Sequence, residues 1–196
     1  MKIIAITGSI GCGKTFLANI IRSLGYVVYD ADKWVKYLYY RQAFLNVIKQ
    51  NFPKVFDDYG SFNKRKLRNL VFNNTNELKR LEKIVHPFLK QKLLNIIHKN
   101  AEKDCVLFFD VALLIEMKWN IYCQTVILAD VDKDIQKQRV MARDNISAED
   151  FEKIVSVQMD NEQKKKFADV IINTDKSENL LKVELINIIE ELKNNA

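Results

Sequence analysis

Short apolar runs alternate along the chain with longer stretches in which apolar residues recur at helical spacing. This alternation predicts a parallel sheet wrapped by helices. The chain contains only five glycines and two prolines, so long linkers between these elements are not expected. The predicted strands are Lys2–Thr7, Tyr26–Tyr29, Val106–Asp110, Thr125–Ala129 and Val170–Asn173.

The interval between the second and third predicted strands is far longer than one crossover helix. It holds about eighty residues, so we expect an inserted helical subdomain there, at about residues 33–103. Within it, Ala31–Asn51 and Lys64–Lys103 show helical apolar spacing. The polar turn Asp57–Gly60 separates the two stretches.

A glycine-rich segment, G-S-I-G-C-G-K-T, follows the first strand and precedes the helix-like stretch Phe16–Leu24. This context is typical of a P-loop, whose backbone N–H groups converge on a phosphate while the next helix adds the positive end of its dipole. Lys14 can reach the β- and γ-phosphates of a nucleotide, and the Thr15 hydroxyl can bind Mg²⁺. The segment predicts an α/β fold of the P-loop NTPase class. The predicted nucleotide-binding residues are Gly8, Ser9, Ile10, Gly11, Cys12, Gly13, Lys14 and Thr15.

Carboxylates follow several strands, at the edge where ligands bind in sheets of this kind. Asp32 is a candidate base for phosphoryl transfer, and Asp30 a candidate Mg²⁺ or orienting group. A helix N-cap followed by a first-turn acid explains this pair equally well. Asp110 closes the apolar third strand, the position expected of a carboxylate aimed at a metal ion.

Arg139 and Arg143 lie four residues apart on a predicted helix, and therefore on one face. There they could fold over the nucleotide as arginine fingers in cis and neutralise the transferring phosphoryl group. A solvated helix face is the alternative.

The inserted stretch contains His86-Pro87 and a run of aromatic residues. Proline is read here as a helix start signal, and His86 caps, packs or touches a ligand. Core packing accounts for most of the aromatic residues, and one or two could wall a pocket. They are Trp34, Tyr37, Tyr39 and Tyr40.

Composition narrows the class of protein without choosing an activity. At 196 residues the chain is expected to form one domain, and it has neither a membrane-length apolar stretch nor a signal-peptide pattern. These two absences predict a soluble, cytoplasmic protein. Three cysteines without metal spacing predict reduced thiols. The net charge of +6 fits either nucleic acid or a small polyanion. Because no nucleic-acid signature is present, and the basic cluster Lys164–Lys166 is interpreted as a solvated helix face, no nucleic-acid partner is expected.

Taken together, these segments resemble the dephospho-CoA kinase family over nearly the whole chain. Two elements are the most specific to this family: D-A-D at Asp30–Asp32 and L-L-x-E at Leu113–Glu116. The matching segments are Thr7–Thr15, Leu24–Asp32, Gly60–Phe72, His86–Pro87, Asp110–Glu116, Gln136–Asp144 and Ala168–Asn173.

The resemblance implies ATP- and Mg²⁺-dependent phosphorylation of the ribose 3′-hydroxyl of dephospho-CoA, the last step of coenzyme A synthesis. It implies that Asp32 is the base, that Lys14 binds phosphate, and that a lid at about residues 139–165 carries Arg139 and Arg143. The inserted helices become the substrate-binding part, and the oligomeric state stays open. By the same resemblance, substrate is bound by Asp32, Lys64, Arg65, His86, Leu113 and Glu116, and metal by Thr15 and Asp110.

The chain departs from the family pattern at three places. Ala112 replaces a usual proline, Lys64 replaces a usual arginine, and Thr174-Asp175 stands where glycine is usual. The first change loosens the turn before Leu113, and the second replaces a bidentate donor by a point charge. Substrate affinity is therefore expected to be affected more than the type of reaction.

Two other functions remain open from the sequence. One is a P-loop kinase for a different nucleotide or small alcohol, because such kinases differ mainly in the inserted part. The other is a nucleotide switch or nucleic-acid-binding protein. The guanine motif N-K-x-D is absent, and Asp57-x-x-Gly60 does not follow a strand, which disfavours a switch.

Overall fold

The computed structural model describes residues 1–72 and 74–194, without the Phe72 side chain. Two compact units are present. Met1–Asp30 and Glu102–Ala196 form the first, which contains the β-sheet and is called the sheet unit. Ala31–Ala101 forms the second, which is called the helical unit.

The sheet unit is built on five parallel strands in the order β2-β3-β1-β4-β5. This arrangement confirms the predicted α/β class. Three strands have the predicted bounds, whereas β2 starts two residues late because the Tyr26 N–H donates to Ile21 O and stays with the end of the preceding helix. The strands are β1 Lys2–Thr7, β2 Val28–Asp30, β3 Val106–Asp110, β4 Thr125–Asp130 and β5 Val170–Asn173.

Helices occupy most of the remaining chain. In order they are α1 Lys14–Ser23, α2 Ala31–Leu38, α3 Gln42–Asn51, α4 Lys64–Phe72, α5 Thr75–Asn100, α6 Lys133–Asp144, α7 Ala148–Ser156, α8 Asn161–Lys164 and α9 Glu178–Asn194.

The hydrophobic core of the sheet unit lies between the strands and the helices α1 and α9. From α9, Leu181, Leu185 and Ile189 repeat every four residues and are buried as one stripe. They share a cluster with Ile6 of β1 and Phe108 of β3. The continuous apolar strands predicted from the sequence are thus buried on their faces, as parallel strands are.

In the helical unit one prediction is confirmed and one is wrong. The stretch Ala31–Asn51 is helical as predicted, and it forms two helices because Arg41 takes an extended conformation (φ −96°, ψ 118°) before α3. Pro87 lies inside α5 and does not start a helix, so that prediction is wrong. The helix starts instead where the Asn74 side chain accepts hydrogen bonds from two backbone N–H groups, those of residues 76 and 77. The second predicted stretch also includes residue 73, which lies outside the described residues.

The aromatic residues after Asp32 divide into buried and exposed side chains. Trp34 is buried as predicted, whereas Tyr37 and Tyr40 are 63% and 84% exposed, so the core-packing prediction is wrong for these two. Tyr39 stacks on Phe62 with 5.3 Å between ring centroids. Amphipathic α2 buries one stripe only; Tyr37 falls outside that stripe, and Tyr40 lies beyond the end of the helix.

No helix among the described residues is both long enough and apolar enough to cross a bilayer.

Candidate active site

The loop between β1 and α1, residues 8–13, is called the nucleotide loop, and it has the backbone conformation of a phosphate-binding loop. Gly11 and Gly13 have φ of +80° and +84°, a left-handed conformation that residues with a Cβ rarely adopt. A Cβ on Gly13 would lie 2.6 Å from Thr174 Oγ1, and one on Gly11 would lie 2.5 Å from Val140 Cγ2. The loop therefore needs glycine at both positions, for conformation and for packing.

Backbone N–H groups converge where this loop enters α1. Gly13 is the N-cap of α1 and provides no side-chain cap. Among the described residues, the N–H groups of Gly13, Lys14 and Thr15 have no protein acceptor. Unpaired N–H groups and the positive end of the helix dipole together suit a phosphate.

Lys14 and Asp110 are brought together at the carboxyl edge of the sheet. Their Nζ and Oδ1 atoms are 2.5 Å apart, and the side chains are 10% and 3% exposed. Asp110 is the last residue of β3 and lies in register with Asp30 of β2 and Ile6 of β1. The predicted phosphate-binding lysine and the predicted metal ligand are thus direct neighbours.

Of the two predicted arginine fingers, the structure brings one to the loop. The Arg139 guanidinium donates to Thr174 Oγ1 (3.0 Å) and Thr174 O (3.3 Å), and it lies 3.3 Å from Asp175 Oδ1. Arg143 pairs with its own neighbour Asp144 at 2.7 Å, and this hydrogen bond raises the pKa of Arg143. Both arginines lie on α6, as predicted.

Thr174 connects the nucleotide loop to Arg139, a link that was not predicted from the sequence. Its hydroxyl donates to Cys12 O at 2.9 Å while accepting from Arg139, and the residue is 2% exposed. In the sequence, Thr174 stands out only as a departure from the usual glycine. Its place directly after the fifth strand, at the same sheet edge as the loop, was the available signal.

Three side-chain amides also bind the nucleotide loop and were not predicted. Gln136 Nε2 donates to Ile10 O at 2.7 Å. Asn161 Oδ1 accepts from Ser9 N at 3.0 Å, and Gln158 Oε1 accepts from Ile10 N at 3.2 Å. Asn161 donates as well to Ala129 O and Asp130 Oδ1. Asparagine and glutamine in a polar helical stretch carry no distinctive pattern, so sequence alone gave no signal for them.

The prediction that Lys164–Lys166 form a solvated helix face is wrong for its first residue. Lys164 is fully buried, because its Nζ lies 2.6 Å from Ala112 O and 3.1 Å from Glu116 Oε1. Burial lowers the pKa of Lys164, and the Glu116 carboxylate opposes that shift. Lys166 is exposed, as predicted.

The predicted substrate residues Leu113 and Glu116 lie in the turn after β3. Leu113 is half-buried, and Glu116 Oε1 accepts from Met159 N at 3.1 Å in addition to its ion pair with Lys164. The turn is therefore tied to the chain around α8.

The remaining predicted substrate residues lie in the helical unit. Asp32 is exposed in the first turn of α2, and Lys64 and Arg65 are exposed at the start of α4. The Lys64 ammonium sits 5.7 Å from the centre of the Tyr39 ring. Burial lowers the pKa of half-buried His86, against the opposing charge of Glu82. The roles of these residues in binding substrate stay predictions.

A cavity of about 740 Å³ lies between the carboxyl ends of β4 and β5 and the helices α6 to α8. Ser9 is the one residue of the nucleotide loop that lines the cavity. Both acidic side chains and lysines are among the other lining residues. The candidate phosphate site remains the set of N–H groups at the start of α1.

Comparison with known proteins identifies the family of this chain. The family model of dephospho-CoA kinase matches residues 2–179. Dephospho-CoA kinase of Bartonella henselae is 36% identical over 198 residues, covering 100% of both chains. The structure of dephospho-CoA kinase from Campylobacter jejuni matches at TM-score 0.71 and 28% identity, covering 100% of this chain and 99% of that one. TT1252 from Thermus thermophilus matches at TM-score 0.83 and 31% identity, covering 97% of each chain. With its P-loop, its parallel five-stranded sheet and this match along its length, the chain belongs to the dephospho-CoA kinase family.

Proposed function

We propose that this protein transfers the γ-phosphoryl group of ATP to the ribose 3′-hydroxyl of dephospho-CoA, giving coenzyme A and ADP. The observation that carries the proposal is the family match over residues 2–179, which spans both the nucleotide loop and the helical unit. The P-loop and the 2.5 Å contact between Lys14 and Asp110 supply the nucleotide half of such a reaction.

The nucleotide loop holds the β- and γ-phosphates. The N–H groups at the start of α1 donate to the phosphate oxygens, and Lys14 moves its charge from Asp110 to the phosphates when ATP is present. Arg139, placed beside the loop by Thr174, adds positive charge near the transferring group. Arg143 reaches the nucleotide only after leaving Asp144, so we assign it to a lid at about residues 139–165 that closes on ATP.

Magnesium fits the oxygen donors of this site. Mg²⁺ in kinases takes one or two protein oxygens together with substrate phosphates, so a large carboxylate cluster is not required. Thr15 follows Lys14 directly in α1, and the Asp110 carboxylate at the end of β3 contacts Lys14, so Lys14 is a neighbour of both donors. When bound, the ion neutralises charge on the phosphates.

Asp32 is the proposed general base that takes the proton of the 3′-hydroxyl. It stands in the first helical turn after β2 and is exposed. General-base catalysis contributes ~10²–10⁴-fold to rate, which sets the loss expected without it.

The helical unit is the proposed binding part for the anionic acceptor. It contains fifteen Lys and Arg against five Asp and Glu, whereas the rest of the chain contains sixteen against twenty. The positive charge of the protein is thus concentrated there, and Lys64, Arg65 and His86 are the proposed contacts. Such a field attracts a diphosphate-containing substrate and raises the rate of encounter.

The test is ADP release by the purified protein with Mg·ATP, with product identification, in parallel reactions with dephospho-CoA, AMP, shikimate and adenosine. We expect ADP release that depends on dephospho-CoA and equals the coenzyme A formed. Turnover with a different acceptor alone would overturn the substrate assignment. Salt-sensitive binding to generic DNA or RNA with no turnover on any acceptor would overturn the kinase assignment.

A further inference from the structure

Lys164 is a fully buried lysine that none of the roles above uses. It ends α8, a single helical turn, and its Nζ bonds to Ala112 O at 2.6 Å and to Glu116 Oε1 at 3.1 Å. Placing an ammonium group in the protein interior costs several kcal/mol unless its partners compensate. A lysine in this place therefore indicates a task that an apolar side chain would not perform.

Both partners of Lys164 belong to the turn after β3, and both have a second tie. Ala112 O also accepts from Thr7 Oγ1 at 3.3 Å, and Thr7 immediately precedes the nucleotide loop. Glu116 Oε1 also accepts from Met159 N at 3.1 Å. Lys164 thus holds the two ends of the segment that contains Leu113.

One helical turn earlier, Asn161 makes a matching set of bonds to the other side of the site. Its amide accepts from Ser9 N at 3.0 Å and donates to Ala129 O at 3.0 Å and Asp130 Oδ1 at 2.7 Å. Residues three apart on a helix lie on one face, so α8 presents both side chains inward. One of them contacts the nucleotide loop and the other contacts the turn after β3.

We propose that Lys164 is a positioning residue that holds the Ala112–Glu116 turn in its acceptor-binding conformation, while Asn161 performs the corresponding task for the nucleotide loop. The assignment of the turn to acceptor binding rests on the proposed function. Neither side chain touches the reacting atoms. Lys164 acts on the acceptor through Leu113 and Glu116, and Asn161 acts on ATP through the backbone of Ser9.

The test compares KM values of the full-length protein for ATP and for dephospho-CoA. Lys164→Met keeps the length of the side chain and removes its charge and donors, and we expect it to raise KM for dephospho-CoA about 10- to 100-fold, the range for losing hydrogen bonds to a charged group. KM for ATP should change little, because the bonds of Lys164 go to Ala112 and Glu116 and not to the nucleotide loop. Lys164→Arg, which keeps charge and donors, should fall between wild type and Lys164→Met.

Two further variants make the comparison specific. Asn161→Ala should show the reverse pattern, with KM for ATP raised about fivefold and KM for dephospho-CoA nearly unchanged. Lys166→Met, which removes an exposed lysine two residues away, should leave both KM values at wild type. If Lys164→Met does not fold, Thr7→Val removes the other side-chain donor to Ala112 O and should raise KM for dephospho-CoA about two- to fivefold.

Hydrogen exchange provides a readout that needs no substrate. In Lys164→Met, amides of residues 111–116 should exchange faster than in wild type, with those of the nucleotide loop unchanged. Unchanged exchange and unchanged KM values would overturn the proposal. A fall in kcat with both KM values unchanged would contradict the proposal and assign Lys164 a catalytic role instead. An equal rise in both KM values would also contradict it, because Lys164 would then only stabilise the fold in general.

Failure of the proposed function would look different. Wild-type protein would then form no coenzyme A at all, and the same comparison would be made with the acceptor that it does use. Faster exchange at 111–116 together with an unchanged KM for that acceptor would overturn the link between the turn and the acceptor.

Discussion

Replacing Gly13 by alanine tests whether the nucleotide loop is fixed by packing as well as by backbone conformation. At φ of +84°, an alanine costs roughly 1–2 kcal/mol because its Cβ crowds the backbone. The new Cβ would also meet Thr174 Oγ1 at 2.6 Å and Thr174 Cβ at 2.8 Å. Thr174 cannot easily move away from the new Cβ, because its hydroxyl is hydrogen-bonded to Arg139 and to Cys12 O. Overpacking therefore adds about 1–3 kcal/mol to the cost.

Gly25→Ala is the matched control for this prediction. Gly25 has nearly the same φ, +88°, but a Cβ there would meet no atom within 4 Å. Only the conformational cost of roughly 1–2 kcal/mol applies to it. For a chain of this length 1 kcal/mol corresponds to ~2–4 °C in Tm. Thermal unfolding should therefore show a loss of about 2–8 °C for Gly25→Ala and about 4–20 °C for Gly13→Ala.

A double-mutant cycle separates the overlap from the strain. In a Thr174→Gly background the obstructing atoms are gone, so Gly13→Ala should then cost no more than Gly25→Ala does. Equal losses for Gly13→Ala and Gly25→Ala in the wild-type background would refute the packing argument.

Three further predictions follow from charge and burial. Burial lowers the pKa of His86, so the unfolded chain binds the His86 proton at a higher pH than the folded protein does. The free energy of unfolding should therefore fall as the pH drops below about 6.5. Urea unfolding at pH 5 to 7 should show a smaller fall for His86→Gln. Burial raises the pKa of Cys12 to about 11 and of Cys123 to about 12, so neither should be alkylated by iodoacetamide in the folded protein at pH 8; mass spectrometry showing labelled Cys12 would contradict this. Because the helical unit carries the excess of positive charge, raising KCl from about 50 to about 300 mM should increase KM for dephospho-CoA, and a salt-independent KM would argue against electrostatic capture.

The sheet and the nucleotide loop could both be predicted from the sequence alone. Strands of a buried parallel sheet are continuous apolar runs. The first and last residues of Lys2–Thr7 and Val106–Asp110 could therefore be predicted correctly. The P-loop was recognisable because its function depends on backbone geometry, which dictates glycine at fixed spacing. Chain order and strand ends then predicted that Asp110 would lie at the same edge as Lys14.

Contacts between distant polar side chains could not be predicted. A lysine in a basic, polar helix is solvated far more often than buried, and only the fold brings Ala112 and Glu116 to Lys164. The position of Pro87 within a helix could not be predicted either. The Asn74 cap decides where α5 begins, and the helix tolerates the proline inside it. Thr174 was missed because its role depends on the neighbouring Gly13, which leaves space for it.

The most direct test of the proposed chemistry is a comparison of wild type and Asp32→Asn with saturating Mg·ATP and dephospho-CoA, following coenzyme A formation and, separately, ATP affinity. The wild type is expected to form coenzyme A and ADP in equal amounts. The variant should bind ATP as the wild type does and turn over ~10²–10⁴-fold more slowly, the contribution of a general base. Unimpaired turnover by Asp32→Asn would remove Asp32 from that role, and a wild-type enzyme that forms no coenzyme A would contradict the central claim.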